Sequence, residues 1–328
     1  MKIICTGGAG FIGGHLVDRL IKEGNEVSII DDFSGGSVNN LNNKIKNSYF
    51  ADCRDEEQMD KIFKEVKPEI VYHLAANAAE NKAQFSPIDI TSRNYDAFIK
   101  TLTPFIKYGG KRFIFTSSIA VYGEGQTPFK EADEPKPEDL YGISKLAIES
   151  SLEVMSRVHG FEYVITRPHN VYGPRQNKKD PYRNVVAIWM NAIMKNEPFY
   201  IYGDGTHKRC FSYIDDVIDA LYNCLVVKSG SIFNIGADKA YSLIELSNAI
   251  LGASDSNIKP IFLPERPQEV HEAISDHTCA KKYLNYQDKT SLEDGIKKTW
   301  EWASSVGYEE PIKTGFEIMS DKIPSNWL

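Results

Sequence analysis

No unbroken apolar stretch in this chain approaches the roughly 20 residues that a bilayer-spanning helix needs, so a helical membrane protein is excluded. Cysteine is scarce and scattered: Cys5, Cys53, Cys210, Cys224 and Cys279 form no C-x-x-C pair and no His/Cys ligand spacing. That leaves no basis for a disulfide framework or a zinc site, and no metal is expected. An excess of positive charge is also missing, since 38 Lys and Arg stand against 45 Asp and Glu, a net charge of −7. This argues against a general binder of nucleic acid or anionic membrane, and any anion has to be held by a local cluster. Internal repeats, low-complexity tracts and flexible linkers are absent, so the parts of the chain are expected to pack closely. Met1 leads straight into an apolar run without signal-peptide architecture, which makes a cytoplasmic location the expectation.

What is present is an alternation. Short apolar runs at residues 3–5, 27–30, 70–74, 113–115 and 163–166 have the form of buried parallel strands. Between them, residues 15–22, 56–66 and 93–107 carry apolar residues at helical spacing, with Pro104 as a blemish in the last. The alternation predicts a Rossmann-type α/β fold, a doubly wound parallel sheet over residues 1–170. From Val171 the sequence becomes turn-rich, with shorter periodic segments at 185–194, 214–226, 243–251 and 292–303. Residues 171–328 are therefore expected to form a smaller mixed α/β substrate-binding region, some segments returning to the first domain, with the active site in the cleft between the two.

The first apolar run opens into Thr6-Gly7-Gly8-Ala9-Gly10-Phe11-Ile12-Gly13, followed by a helical segment. Glycines here permit a tight turn and let backbone N–H groups approach a pyrophosphate, while the helix start favours an anion. The second run ends in Asp31, at the distance where a carboxylate accepts both ribose hydroxyls of an adenosine. NAD is favoured over NADP, because Asp31 repels a 2′-phosphate and the loop has no arginine. Asp32 is the weaker candidate, able instead to cap the following turn.

Tyr141 and Lys145 are four residues apart and share one face of a helix. With the lysine and a positive nicotinamide nearby, the phenol is expected to fall from about 10 towards neutrality, about 4 kcal/mol for three units, and to accept a hydroxyl proton. The run 113–115 ends in Thr116-Ser117-Ser118, which puts hydroxyls at the carboxyl edge of the sheet, where Ser118 can relay that proton.

Taken in order, these motifs resemble the extended short-chain dehydrogenase/reductase family, in particular its sugar-nucleotide epimerases and dehydratases, over nearly the whole chain. The resemblance implies that Gly7, Gly10, Phe11, Ile12, Gly13, Asp31 and Asp32 meet the dinucleotide, with Asp52 and Cys53 on its adenine side. Leu74, Ala75, Ala76, Asn94, Ser117 and Pro168 line it, and Ser118, Tyr141 and Lys145 take the catalytic positions. It implies Asn170, Asn184, Val185, Arg209 and Arg266 as diphosphate anchors, Glu269 at the substrate ribose, and Tyr200 and Tyr202 around the nucleobase. Ala273 falls where epimerases gate the C2 substituent, and its small size implies room for an N-acetylhexosamine. The chain departs from the family at Asn77 to Phe85 and at Asn94-Tyr95-Asp96-Ala97, beside the sugar in relatives.

The implied activity is a 4-epimerase of a nucleotide-diphosphate sugar, UDP-hexose or UDP-N-acetylhexosamine, acting through a transient 4-keto sugar. A C4 dehydrogenase, a 4-keto reductase, a C4 decarboxylase and a non-catalytic NAD-binding scaffold are the alternatives. A 4,6-dehydratase is disfavoured, because relatives of that kind carry Asp-Glu where this chain has Ile119-Ala120. A homodimer is expected through the faces Tyr95, Phe98, Ile99, Leu102, Ile106 and Ala147, Ile148, Leu152, Met155.

Overall fold

All five apolar runs form strands, for a shared reason: β-branched and aromatic residues buried on both faces of a parallel sheet. The computed structural model describes residues 1–266 and 269–328. Six strands, β1 (Lys2–Thr6), β2 (Glu26–Asp31), β3 (Asn47–Phe50), β4 (Ile70–His73), β5 (Arg112–Thr116) and β6 (Glu162–Pro168), join Ser231–Ile235 in one seven-stranded parallel sheet. Its order is Ser231–Ile235, β6, β5, β4, β1, β2, β3, the doubly wound arrangement in which strand order reverses beside β1. The strand β3 escaped the periodicity reading because an edge strand that alternates partly buried and exposed residues has no apolar run. Ser231–Ile235 returns to the sheet from the second half of the chain.

Alternation along the strands divides the core. Ile3 and Cys5 face Leu16, Val17 and Leu20 of α1 (Phe11–Lys22) and Ile214, Val217 and Leu221 of the helix Ile214–Asn223. Ile4, Val71, Phe113 and Phe115 face α2 (Glu56–Val66) and the helices Ala97–Lys107 and Leu140–His159. Each fully buried side chain of this kind contributes roughly 1.5–3 kcal/mol. Phe98, Leu102, Ile148 and Leu152, expected on a pairing face, are used by this core, whereas Tyr95, Ile99, Ile106, Ala147 and Met155 stay partly exposed. The helix that ends at Lys107 starts earlier than its periodicity indicated. It begins at Pro87, passes through a π turn at Ser92–Asp96 and continues past Pro104.

The second half adds short strand pairs and the helices Val185–Met194, Leu243–Ser254 and Leu292–Val306 beside the carboxyl edge of the sheet. Among the described residues no helix is long and apolar enough to cross a membrane. Residues 308–328 carry little regular structure but are pinned along their length. Glu309 exchanges hydrogen bonds with Asn191 at 2.7 and 3.0 Å, and the Ile312 N–H reaches the Lys179 carbonyl at 2.7 Å. The Glu317 carboxylate accepts from the Ile88 and Asp89 N–H groups at 2.7 and 2.8 Å, and Asn326 accepts from the Tyr202 hydroxyl at 2.9 Å. Phe316, Ile323 and Trp327 pack with Phe85 and Tyr182. The segment thereby straps together pieces of chain from both halves.

Trp327→Ala removes the centre of this plug, costing about 3 kcal/mol of docking energy. Limited proteolysis is expected to cut within 308–328 about a hundredfold faster, while the melting of the sheet changes little. Unaltered cleavage would show that the strap is held by its hydrogen bonds alone.

Candidate functional site

A cleft of about 1760 Å³ opens at the carboxyl ends of β1, β2, β4, β5 and β6, where the strand order reverses. Its glycine end is built by close backbone packing. Gly7 adopts a left-handed φ of 68°, and a Cβ on Gly13 would stand 2.1 Å from the Gly7 carbonyl oxygen. Gly10 caps α1 with no side-chain acceptor, which leaves N–H donors for an anion. Asp31 closes β2 with its carboxylate on the Ala9 and Phe33 N–H groups at 2.9 and 2.8 Å. Burial pushes its carboxyl up, and these N–H bonds oppose the rise. A carboxylate has about four acceptor sites, so capacity for ribose hydroxyls remains. The glycine cradle and this acceptor fit an adenosine diphosphate.

Phe11, Ile12, Cys53, Leu74, Ala75, Ala76, Ser117 and Pro168 line the same cleft. Two carboxylates there are already engaged by arginines that the sequence reading passed over. Asp32 accepts from the Ser34 N–H at 2.9 Å and from Arg93 at 3.0 Å, and Asp52 pairs with Arg54 at 2.6 Å. Arg93 is itself shared with Asp89 at 2.7 Å. Asn94 does not line the cleft. It is buried in the π turn, and its amide donates to the carbonyls of Asn77 and Ile90 at 3.0 and 2.8 Å, holding the wall from behind.

The reactive end lies where the helix Leu140–His159 meets the chain leaving β5. A Cβ on Gly142 would stand 2.6 Å from the Ala120 carbonyl oxygen, so glycine is what allows the close approach. Asp139 caps the helix, accepting from the Gly142 N–H at 2.8 Å. Tyr141, 5% exposed, lines the cleft with Ser118, whose Oγ accepts from the Ala120 N–H at 3.1 Å and whose hydroxyl works against the rise of the phenol. The Lys145 Nζ donates to the Thr116 carbonyl at 2.7 Å and stands 5.6 Å from the Tyr141 ring centre. The expected lowering of the phenol is not produced by the chain alone. Burial pushes it well above its usual range, the Glu80 charge adds to the rise, and the Ser118 hydroxyl and the Arg183 charge oppose it. Lys145 moves the other way: burial lowers its amine to about 7, against the pull of Glu149.

Glu149, one further turn along the same face, was missed, although its i, i+4, i+8 spacing with Tyr141 and Lys145 was visible in the sequence. It accepts from Ser117 Oγ at 2.5 Å and from Arg167 at 2.5 and 3.0 Å, and Arg167 also donates to the Tyr122 hydroxyl at 2.6 Å. The two ion-pair side chains are 5% and 3% exposed. This buried set underlies the reactive hydroxyls.

At the far end stand Asn170, Asn184, Val185, Tyr200, Tyr202, Arg209, Arg266 and Glu269. Asn184, in the left-handed region at φ 66°, precedes the helix Val185–Met194 without a side-chain cap, so its N–H groups are available. Arg266 stacks on Tyr202 at 4.3 Å and pairs with Glu269 at 2.7 Å, and Arg209 is 3.5 Å from the same carboxylate and bonds the Val270 carbonyl. These two arginines lower the Glu269 carboxyl despite its burial. Ala273 does not line the cleft. Its strand pairs it with Arg209, and its side chain packs with Ile119, Val121, Tyr122 and Phe129. Glu80, within the stretch that departs from family pattern, lines the cleft, where desolvation by the cleft walls and the Asp139 charge push its carboxyl up to about 7 although the residue is exposed to the cleft.

Comparison with known proteins agrees with this geometry. The profile of the NAD dependent epimerase/dehydratase family matches residues 3–236. A UDP-glucose 4-epimerase from Thermotoga maritima, solved with UDP-glucose, is 37% identical with a TM-score of 0.88, over 93% of this chain and 99% of that one. A UDP-N-acetyl-alpha-D-glucosaminuronate decarboxylase of Bacillus cytotoxicus is 30% identical over 93% of this chain and 98% of its own. A UDP-glucuronic acid 4-epimerase from Bacillus cereus, in complex with UDP-glucuronic acid and NAD, is 28% identical with a TM-score of 0.85, over 93% and 100%.

Glu149→Ala strands the Arg167 charge and is expected to cost about 3–5 kcal/mol in urea unfolding, most of it recovered when Arg167 is also made Met. A loss below about 1 kcal/mol would show that the pair is replaceable. Lys145 titrates near 7 folded and near 10.4 unfolded. Between these values the unfolded chain binds the extra proton, so this group makes stability rise with pH. Urea unfolding at several pH values in that window should show the rise, and Lys145→Met should flatten it.

Proposed function

This chain belongs to the NAD-dependent epimerase/dehydratase family, and from that premise we propose that it is an epimerase acting at C4 of a nucleotide-diphosphate hexose. The observation that carries this reading is the convergence of Ser118, Tyr141 and Lys145 in the same cleft as the glycine cradle and the arginine end, with the Lys145 Nζ 5.6 Å from the Tyr141 ring centre. Tyr141 is the base that takes the C4 hydroxyl proton, with Ser118 passing it on. Lys145, 5.6 Å from the ring centre, favours the phenolate when its amine is protonated. Because the chain alone holds the phenol high, the remaining positive charge comes with the cofactor. Gly7, Gly10, Gly13 and the start of α1 hold its diphosphate, and Asp31 holds its ribose. Bound NAD supplies the acceptor that takes hydride from C4, giving a transient 4-keto sugar, and returns it.

Arg209, Arg266 and the open N–H groups after Asn184 grip the substrate diphosphate, with Glu269 free to take ribose hydroxyls once phosphate relieves it of the arginines. A sugar tethered at the diphosphate and held loosely beyond it can present either face to the same base. Ile119 and Ala120, beside Ser118, bring no acid for removing water across C5 and C6. UDP is the nucleotide favoured, since the relatives are named for UDP-sugars. The proposed assembly is a homodimer across the partly exposed Tyr95, Ile99, Ile106, Ala147 and Met155 edges, and the proposed location is cytoplasmic.

Incubation with UDP-, GDP-, CDP- and dTDP-sugars followed by NMR of the products is expected to give the 4-epimer of a UDP-hexose with no net NADH. Accumulated ketone with NADH release would instead assign a C4 dehydrogenase, and a dehydrated or decarboxylated sugar would overturn the reading. Tyr141→Phe is expected to lower turnover by about 10²–10⁴-fold with the cofactor still bound.

A further inference from the structure

Glu80 has no part in the machinery described so far, yet its position is informative. It opens the short helix Glu80–Ala83, which lies against Leu140–His159, and its neighbours Ala79 and Ala83 pack with Tyr141. The residue is exposed and lines the cleft. The charges within its reach stand at both ends of the substrate half. Asp139 and Tyr141 lie at the reactive end, and Arg209, Arg266 and Glu269 at the anchoring end. A group that feels both ends lies along the span that a sugar occupies when it is tethered by its diphosphate and presents C4 to Tyr141.

We propose that Glu80 is a specificity-determining residue of the sugar site, accepting hydrogen bonds from hydroxyl or amide groups of a neutral hexose and rejecting hexuronates through like charge. The proposal rests on the epimerase reading and narrows its substrate class. A C6 carboxylate brought beside an ionised Glu80 places two anions next to each other within the cleft, a juxtaposition that disfavours binding when neither is relieved. Relief from the neighbourhood is limited. Arg266 and Arg209 already share Glu269, and Arg183, whose charge reaches Tyr141, is paired with Asp180 at 2.5 Å. Desolvation and the Asp139 charge push the Glu80 carboxyl up to about 7, so rejection by like charge operates above that pH, where Glu80 is an anion. A hydroxyl or an N-acetyl N–H, by contrast, donates to Glu80 and satisfies it.

The test uses the full NAD-loaded chain with UDP-glucose and UDP-glucuronate, reading affinity by calorimetry and kcat/KM by product NMR. The wild type should favour UDP-glucose by at least about tenfold in affinity. Glu80→Gln, which keeps the hydrogen-bonding shape but not the charge, should narrow that ratio at least about tenfold, and Glu80→Asp should preserve it. Equal wild-type affinity for the two sugars overturns the proposal, as does an equal shift of the ratio in both variants. Selective binding of UDP-glucose without turnover sinks the epimerase reading and leaves the role of Glu80 standing.

Discussion

The reactive end of this molecule depends on how closely one helix can approach one strand. The helix Leu140–His159 sits against the turn after β5 because Gly142 has no side chain to strike the Ala120 carbonyl. Any larger residue there lifts the helix start, and with it Tyr141, away from Ser118. The same approach carries Lys145 to the Thr116 carbonyl and Glu149 to Ser117 and Arg167. Three polar side chains on one helix face are thus buried at once, and each finds its partner only because the others are seated. Burying an unpaired charge is expensive, so the set forms together.

That cooperation separates what was legible in the sequence from what was not. The five buried strands, the glycine turn, Asp31 and the Tyr141, Lys145 pair were readable, because strand burial, tight turns and one-face spacing leave patterns within a few residues of each other. The edge strand β3 was not, since its alternation mixes polar and apolar residues, and Ser231–Ile235 joins a neighbour distant in sequence. Asn94 was placed at the cofactor by the motif around it, but the π turn directs its amide to Asn77 and Ile90 instead. Ala273 failed for a similar reason: its position was counted from Arg266, and counting cannot show which face of a two-residue strand is buried. Arg93 went unseen at the cleft because Asp32 reaches it from a distant loop, whereas the Arg93–Asp89 and Arg54–Asp52 pairs are local and their i, i+4 and i, i+2 spacings are common on any surface.

Charge in the cleft is arranged as balanced pairs in the free chain. Arg93 and Arg54 are matched by Asp32, Asp89 and Asp52 at the end near β2, and Arg266 and Arg209 by Glu269 at the other. On the proposed reading, a diphosphate entering the far end would compete with a carboxylate for the same guanidinium groups, exchanging one ion pair for another. Such exchange limits the net gain from charge and moves selectivity to whatever the anion carries with it.

The strap has a consequence in time as well as in space. Because residues 308–328 close a wall begun by Phe85, Tyr182 and Asn191 and follow every strand of the sheet in the chain, the sheet can be complete during synthesis before that wall is made. The order of the chain thus lets the doubly wound fold form first and the cleft take its closed outline afterwards.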